Sequence, residues 1–174
     1  IMDLCDLIIE GKKEGHIKQN VIFNCQAKIG DFIIKKPTRR LHDELIIKLK
    51  KAGFYHFGTG VETFSDKLLH SPSINKKAIS EKDQHMVIQG LLKYGFSPSV
   101  NIILFVPETT IDDVYFVMKT ATEYMMKGCQ IAVTPLLRPM EGSGIYELMK
   151  KGLSPVKAKY AEWVNPETGK VFKY

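Results

Sequence analysis

Short β-branched runs alternate with longer stretches of helical period along most of this chain, and that alternation restricts its fold more than anything else in the sequence. Strand-like segments begin near residues 21, 54, 99 and 130. They lie roughly 30 to 45 residues apart, the length of a strand, a crossover helix and two loops. Strands joined by such crossovers run parallel, since an antiparallel pair needs only a tight turn. The expected fold class is therefore α/β: a parallel (β/α) partial TIM-like barrel or fragment of one, with an open doubly wound sheet as the other arrangement that fits.

Residues 2–13 place Leu4, Leu7, Ile8 and Gly11 on one helical face, with Gly15 as the stop. VIFNCQAK (21–28) reads as a strand in which Asn24 and Gln26 alternate with Phe23 and Cys25. After a loop containing Pro37, residues 41–52 carry Leu41, Leu45, Ile46 and Leu49 on one stripe and end at Gly53. FYHFGTGVE (54–62) is a second strand, and Thr63, Ser65 and Asp66 are natural caps for the helical turn behind it. A longer helix is expected over about 76–94, with Ser80 as the cap of a later start. SVNIILFV (99–106) is nearly continuous in apolar residues, as a strand covered on both faces should be. Thr110 then caps a helix over 111–127 whose stripe is Ile111, Val114, Tyr115, Met118, Ala121 and Met125. QIAVTPLL (130–137) is the fourth strand, with Pro135 where no ladder donor is needed, and a last helix is expected over about 144–151.

Composition narrows the function classes. A chain of 174 residues, 44% of them hydrophobic, is long enough to bury a core. The formal charge of +6 would suit an anionic partner, but the 25 Lys and Arg are scattered and interrupted by acids, the pattern of a solvated basic face. No run approaches the roughly 18 apolar residues of a membrane helix, and the first residues carry acids where a signal peptide carries bases, so the expected location is cytoplasmic. Cys5, Cys25 and Cys129 are far apart and show no spacing that organises zinc or an iron–sulfur cluster, which leaves them as reduced, buried thiols. His16, His42, His56, His70 and His85 form no metal motif, and His56 alone alternates on a strand in a way that would face a barrel lumen.

In either architecture ligands gather at the carboxy ends of the strands. The groups expected there are Asn24 and Gln26, then Gly58, Gly60 and Glu62, then Pro107 and Glu108, then Thr134 and Arg138. Glu62 has two readings, as an acceptor for ribose hydroxyls or as a cap for the helix that follows. Glu108 precedes a helix, where the macrodipole favours a carboxylate with no further role.

GTGVETFSDKLL (58–69), a lysine shortly after it (Lys76 or Lys77), KYGFSPSVNIILFVPETTIDDV (93–114) and TPLLRPMEGSGIYELMKKG (134–152) follow one another in an order that resembles the radical S-adenosylmethionine (SAM) enzymes, nearest to the subgroup that often carries a cobalamin-binding domain. The resemblance covers about residues 1–152, which it implies are the carboxy-terminal part of a partial (β/α) barrel. Residues 153–174 would be a tail or the start of a further segment, with a hairpin or packing strap at NPETGK (165–170) near Trp163. It implies Glu62 at the ribose of SAM with Ser65 assisting, the strand exit at Pro107 beside the adenine, and Asn24, Gln26, Glu108 and Arg138 along the same cofactor-binding rim. Phe105 stands where the family often has glycine, and RPMEGSG (138–144) replaces the usual Pro-Gly-Thr.

The family's CxxxCxxC, which holds its 4Fe-4S cluster, is not in this sequence. The resemblance therefore implies a parent protein that binds SAM and the cluster, with cobalamin as a further candidate cofactor, and a chain inactive by itself. In the parent, an electron from the cluster would cleave SAM, or SAM would pass its methyl group through cobalamin. The expected partners are the small-molecule cofactor and the amino-terminal barrel segment of the same parent, with self-association through an open sheet edge. Two rivals come from other classes. An ordinary barrel lyase would want a lysine or an acid pair at the rim. A nucleic-acid-binding module would use the basic, aromatic tail KAKYAEW (157–163) and KVFKY (170–174).

Overall fold

The chain is described here by a computed structural model covering residues 1–137, 146–147, 150–151, 162–164 and 171–173. Each expected strand forms: β1 (Phe23–Ala27), and then, after a short hairpin of β2 (Ile33–Ile34) and β3 (Arg40–Leu41), β4 (Phe54–Glu62), β5 (Ser97–Phe105) and β6 (Gln130–Leu136). The helices are α1 (Met2–Lys13), α2 (Asp43–Ala52), α3 (Asp66–Leu69), α4 (Glu81–Lys93) and α5 (Ile111–Met126). The β2–β3 hairpin and a 3-10 turn at Ile29–Phe32 fill the stretch read from sequence only as a loop containing Pro37. The strands β7 (Glu162–Val164) and β8 (Val171–Lys173) pair antiparallel on either side of NPETGK, as a hairpin there requires.

The main sheet is parallel throughout and ordered β1-β4-β5-β6, following the chain. A doubly wound sheet reverses its strand order at a switch point. This one does not, and right-handed crossovers that all step the same way place their helices on one face. The core lies between that face and the helices: Phe57, Val61, Val100 and Ile102 meet Leu45, Ile46, Leu49, Val87, Ile88 and Leu91. Phe57 is its aromatic centre, with ring centroids 5.3 Å from Phe32 and 5.2 Å from Phe96. Each such side chain contributes about 1.5–3 kcal/mol by leaving water.

Helix ends follow the local chemistry. Gly53 closes α2 at φ 101°, a left-handed position that glycine adopts without strain. Ser80 and Thr110 each form a capping box, with Asp83 and Asp113. Helix α4 thus takes the later of its two possible starts. Among the described residues near the last expected helix, Tyr146, Glu147 and Lys150 are helical, and the Lys151 amide donates to the Glu147 carbonyl at 3.1 Å.

Three expectations about faces need correction. Helix α1 buries Cys5, Ile8 and Lys12 while Leu4 and Leu7 are exposed, because the Lys12 ammonium reaches inward to the Val21 carbonyl at 2.8 Å and turns that face toward the body. Helix α5 buries Val117, Thr120, Ala121 and Tyr124, leaving Ile111 80% and Tyr115 73% exposed, because the stripe that meets the sheet is less apolar than the one read from periodicity. Strand β5 is not covered on both faces. Its residues alternate, with Pro98, Val100 and Ile102 buried and Ser97, Ser99 and Asn101 partly open on the side away from the helices.

Candidate functional site

That side of the sheet, free of helices among the described residues, is built in rows. Register aligns Asn24 with His56 and Ser97, Gln26 with Gly58, Ser99 and Gln130, Gly60 with Asn101 and Ala132, and Ile103 with Thr134. The rows are amides, hydroxyls, one imidazole, small residues and Ile103, with no formal charge. Asn24 and Gln26 are exposed there, and the Gln26 side chain lies over bare Gly58, where an added Cβ would meet it at 3.4 Å.

Charge begins at the carboxy edge. Glu62 ends β4 with φ 66°, a left-handed backbone that a side chain larger than glycine's rarely adopts. Its carboxylate folds back over Gly60, where an added Cβ would stand 2.6 Å from Oε1. Lys76, delivered by the loop after α3, donates to Glu62 Oε1 at 2.8 Å and to the Gly60 carbonyl at 2.6 Å. Of the two lysines that the sequence offered, Lys76 is the partner. Glu62 Oε2 accepts nothing from the described residues. A held carboxylate with one free oxygen, folded over a glycine at a strand end, suits a ligand with hydroxyl donors. Glu62 does not cap α3, since Ser65 does so through the Leu68 amide at 3.4 Å.

The other expected rim residues divide. Ser65 is buried and occupied, since its hydroxyl also donates to Asp113 Oδ1 at 3.4 Å. Pro107 and Glu108 follow the end of β5, and Glu108 Oε1 accepts from the Ser73 hydroxyl at 3.0 Å, while its buried Oε2 has no partner among the described residues. Glu108 leaves the capping of α5 to Thr110 and Asp113. Burial pushes the Asp113 carboxyl up, but the bonds from Lys67 at 2.7 Å and from Thr110 outweigh it and hold it down at about 2. Arg138 lies outside the described residues, as do RPMEGSG (138–144) and KAKYAEW apart from its Glu162 and Trp163 backbone.

Sequence reasoning missed two features. Ser97, Ser99 and Asn101 were legible as polar alternation in SPSVN but were hidden by the apolar run after them. Gln84, on the inner face of α4 and 1% exposed, donates through Nε2 to the Val61 carbonyl at 2.8 Å, and its Oε1 has no partner among the described residues, which no sequence signal marks.

The thiols do not fit a cluster. Cys5 and Cys129 are buried, burial pushes the Cys129 thiol up to about 11, and among the described residues no three His, Cys, Asp or Glu converge on a metal position. No helix among the described residues is long and apolar enough to cross a membrane.

No protein-family model matches the chain, and no curated protein does. Solved structures do. TsrM from Kitasatospora setae, a radical S-adenosylmethionine methyltransferase with cobalamin and a [4Fe-4S] cluster bound, is similar at TM-score 0.65 and 14% identity, over 95% of this chain and 30% of that one. The same enzyme with tryptophan substrate and the SAM analogue aza-SAM bound gives TM-score 0.61 at 14% identity, over 86% and 27% of the two chains. OxsB, a cobalamin-dependent S-adenosylmethionine radical enzyme with aqua-cobalamin bound, gives 0.56 at 14% identity, over 87% and 20%. At these identities the likeness is one of fold, and the chain spans less than a third of each neighbour's length.

Proposed function

We propose that this chain is the carboxy-terminal part of the barrel of a radical SAM enzyme of the cobalamin-dependent kind, residues 1–152, followed by a tail or linking segment. The observation that carries this reading is Glu62. Backbone held in a sparsely populated region gathers at functional sites, where surrounding contacts maintain it. Here the Lys76 bridge and bare Gly60 hold the carboxylate at the carboxy end of a central parallel strand, where ligands bind in such folds. The shared fold with TsrM and OxsB supports SAM as that ligand.

In this reading Glu62 Oε2 accepts from the ribose hydroxyls of SAM, and Lys76 fixes the carboxylate's orientation so that little is lost in ordering it. The backbone around Pro107 lies along the adenine. Gln26, Asn24 and, beyond the described residues, Arg138 belong to the same rim, and the uncharged rows of the sheet form part of a substrate cavity. Bound SAM supplies an activated methyl group and a cleavable carbon–sulfur bond. This chain's residues supply binding, orientation and exclusion of water. Ligands for a 4Fe-4S cluster, and a site for cobalamin, would come from other parts of the parent, which also make the amino-terminal barrel segment a partner for this one.

The test is calorimetric titration with SAM. Glu62→Gln keeps the shape and removes the charge, and is expected to weaken binding by roughly 10- to 100-fold, the worth of a charge-assisted hydrogen bond. Equal affinity in Glu62→Gln and the unaltered chain would sink the assignment.

A further inference from the structure

The bases read from sequence as scattered are unbalanced in two stretches that the fold brings together. Residues 28–41 and 75–79 hold seven of the 25 Lys and Arg, at 28, 35, 36, 39, 40, 76 and 77, but only one of the 19 Asp and Glu, Asp31. The rest of the chain holds 18 of each, so the whole formal excess of +6 comes from these two stretches. Arg39, in the turn of the β2–β3 hairpin, donates to the Ala78 carbonyl at 2.8 Å and to Asp83 at 2.5 Å, which fastens the hairpin to the loop that carries Lys77. Gly30 of the 3-10 turn stands against the same loop, where an added Cβ would meet the Ile79 side chain at 3.3 Å. The three loops thus form one platform beside the carboxy ends of β1 and β4. Two of its cations are engaged, Lys76 by Glu62 and Arg39 by Asp83. Lys28, Lys35, Lys36, Arg40 and Lys77 are exposed and have no ion-pair partner among the described residues.

Five cations spread over exposed loops do not make a pocket for one phosphate. They suit a chain of phosphates, each of which meets a different side chain. The platform's own backbone is largely spent: the Asp31 amide donates to the Lys28 carbonyl, the His42 amide to the Phe32 carbonyl and the Ile79 amide to the Lys76 carbonyl. An acidic peptide, which gains much of its affinity from main-chain hydrogen bonds, finds few partners here, whereas a phosphate backbone needs only side-chain cations. Phe32, the one aromatic residue in the two stretches, is 2% exposed, so no base stacks on the platform and contact is with the backbone of the strand. We propose that the platform is a nucleic-acid-binding surface, tolerant of sequence, on which Lys28, Lys35, Lys36, Arg40 and Lys77 neutralise phosphates of one strand.

None of the five is bonded to the Glu62 carboxylate, so this surface stands whether or not SAM binds there. The test is fluorescence anisotropy of the full chain with a labelled oligouridylate of about 16 nucleotides, across a range of salt concentrations. Five phosphate contacts on a single strand predict that log affinity falls against log salt with a slope of about −3.5. The variant K28Q/K36Q/K77Q changes three exposed side chains and is expected to flatten that slope by about two and to weaken binding by roughly 10- to 100-fold at physiological salt. The variant K13Q/K93Q/K119Q removes the same charge from exposed positions elsewhere and is expected to stay within about twofold. Circular dichroism shows that both variants keep the fold. An unchanged affinity in the platform variant overturns the proposal, and so does an equal loss in the second variant, since net charge alone would then be at work. Poly-L-glutamate that binds as tightly as the oligonucleotide overturns the choice of nucleic acid. Glu62→Gln, which weakens SAM, is expected to leave the oligonucleotide within about twofold, so failure of either reading is seen apart from the other.

Discussion

Glycine at position 60 decides where a carboxylate two residues away can rest. A methyl group there would stand 2.6 Å from Glu62 Oε1, closer than any stable contact, so the side chain must leave or the backbone must shift. Gly60→Ala is therefore expected to separate Glu62 from Lys76 and to reduce SAM affinity by roughly tenfold, the loss of one oriented hydrogen-bonding group, with the helical circular dichroism unchanged. Calorimetry on the variant checks it. The residues themselves left Glu62 open between a ligand contact and a helix cap, and it was the family resemblance that paired it with a lysine at 76 or 77. The choice of Lys76 over Lys77 was not legible, since two adjacent lysines on a loop differ only in which way the chain turns. Gln84 was invisible for a different reason. Its burial depends on α4 packing over β4, and a glutamine in a helix carries no mark of the face it will occupy.

Two helix starts show how elements lock together. Asp83 caps α4 and is bound by Arg39 at 2.5 Å, and Asp113 caps α5 and is bound by Lys67. Because the Asp113 carboxyl is held at about 2, below its ordinary 3.8, its contribution to stability is fully present above pH 4 and is lost as the pH falls toward 2. Asp113→Asn is expected to lower stability at pH 7 by about 1–2 kcal/mol, the worth of a capping group with a partly exposed ion pair. The difference from the unaltered chain should shrink to nothing below pH 2, as followed by urea denaturation across that range. Thr110 was readable in advance as a cap, and Ser80 with Asp83 as one of two possible starts for α4. The buried faces of α1 and α5 were not, because periodicity finds the most apolar stripe, whereas packing selects the stripe whose shape fits the sheet. Val117, Thr120, Ala121 and Tyr124 form such a stripe: two are small or polar, and the fourth is a tyrosine whose burial pushes its hydroxyl up to about 12.

At the scale of the molecule, the four strands of the main sheet and their parallel order followed from the spacing of the apolar runs. What spacing does not reveal is which face stays uncovered. Both edges of the main sheet are open among the described residues, and β6 exposes Val133 and Leu136 along one of them. Exposed apolar groups on α1 and α5 add to that surface. The isolated chain is therefore expected to self-associate at micromolar concentration, seen by sedimentation velocity as a mass that grows with loading. Val133→Lys, a charge on the edge strand, should shift the distribution toward monomer. A monomer at every concentration would show that the open edge is protected in some other way.

The paired caps carry one more implication. Arg39 precedes α2, yet it completes the start of α4, and Lys67 sits in α3, yet it completes the start of α5. Each strand–helix unit is thus stitched to the next at the same end of the sheet. In amide hydrogen exchange the amides at these helix starts should open together, in one slow step shared by neighbouring units, instead of fraying one loop at a time. A ligand seated on that end would then slow exchange across the whole row of helix starts, including ones that it never touches.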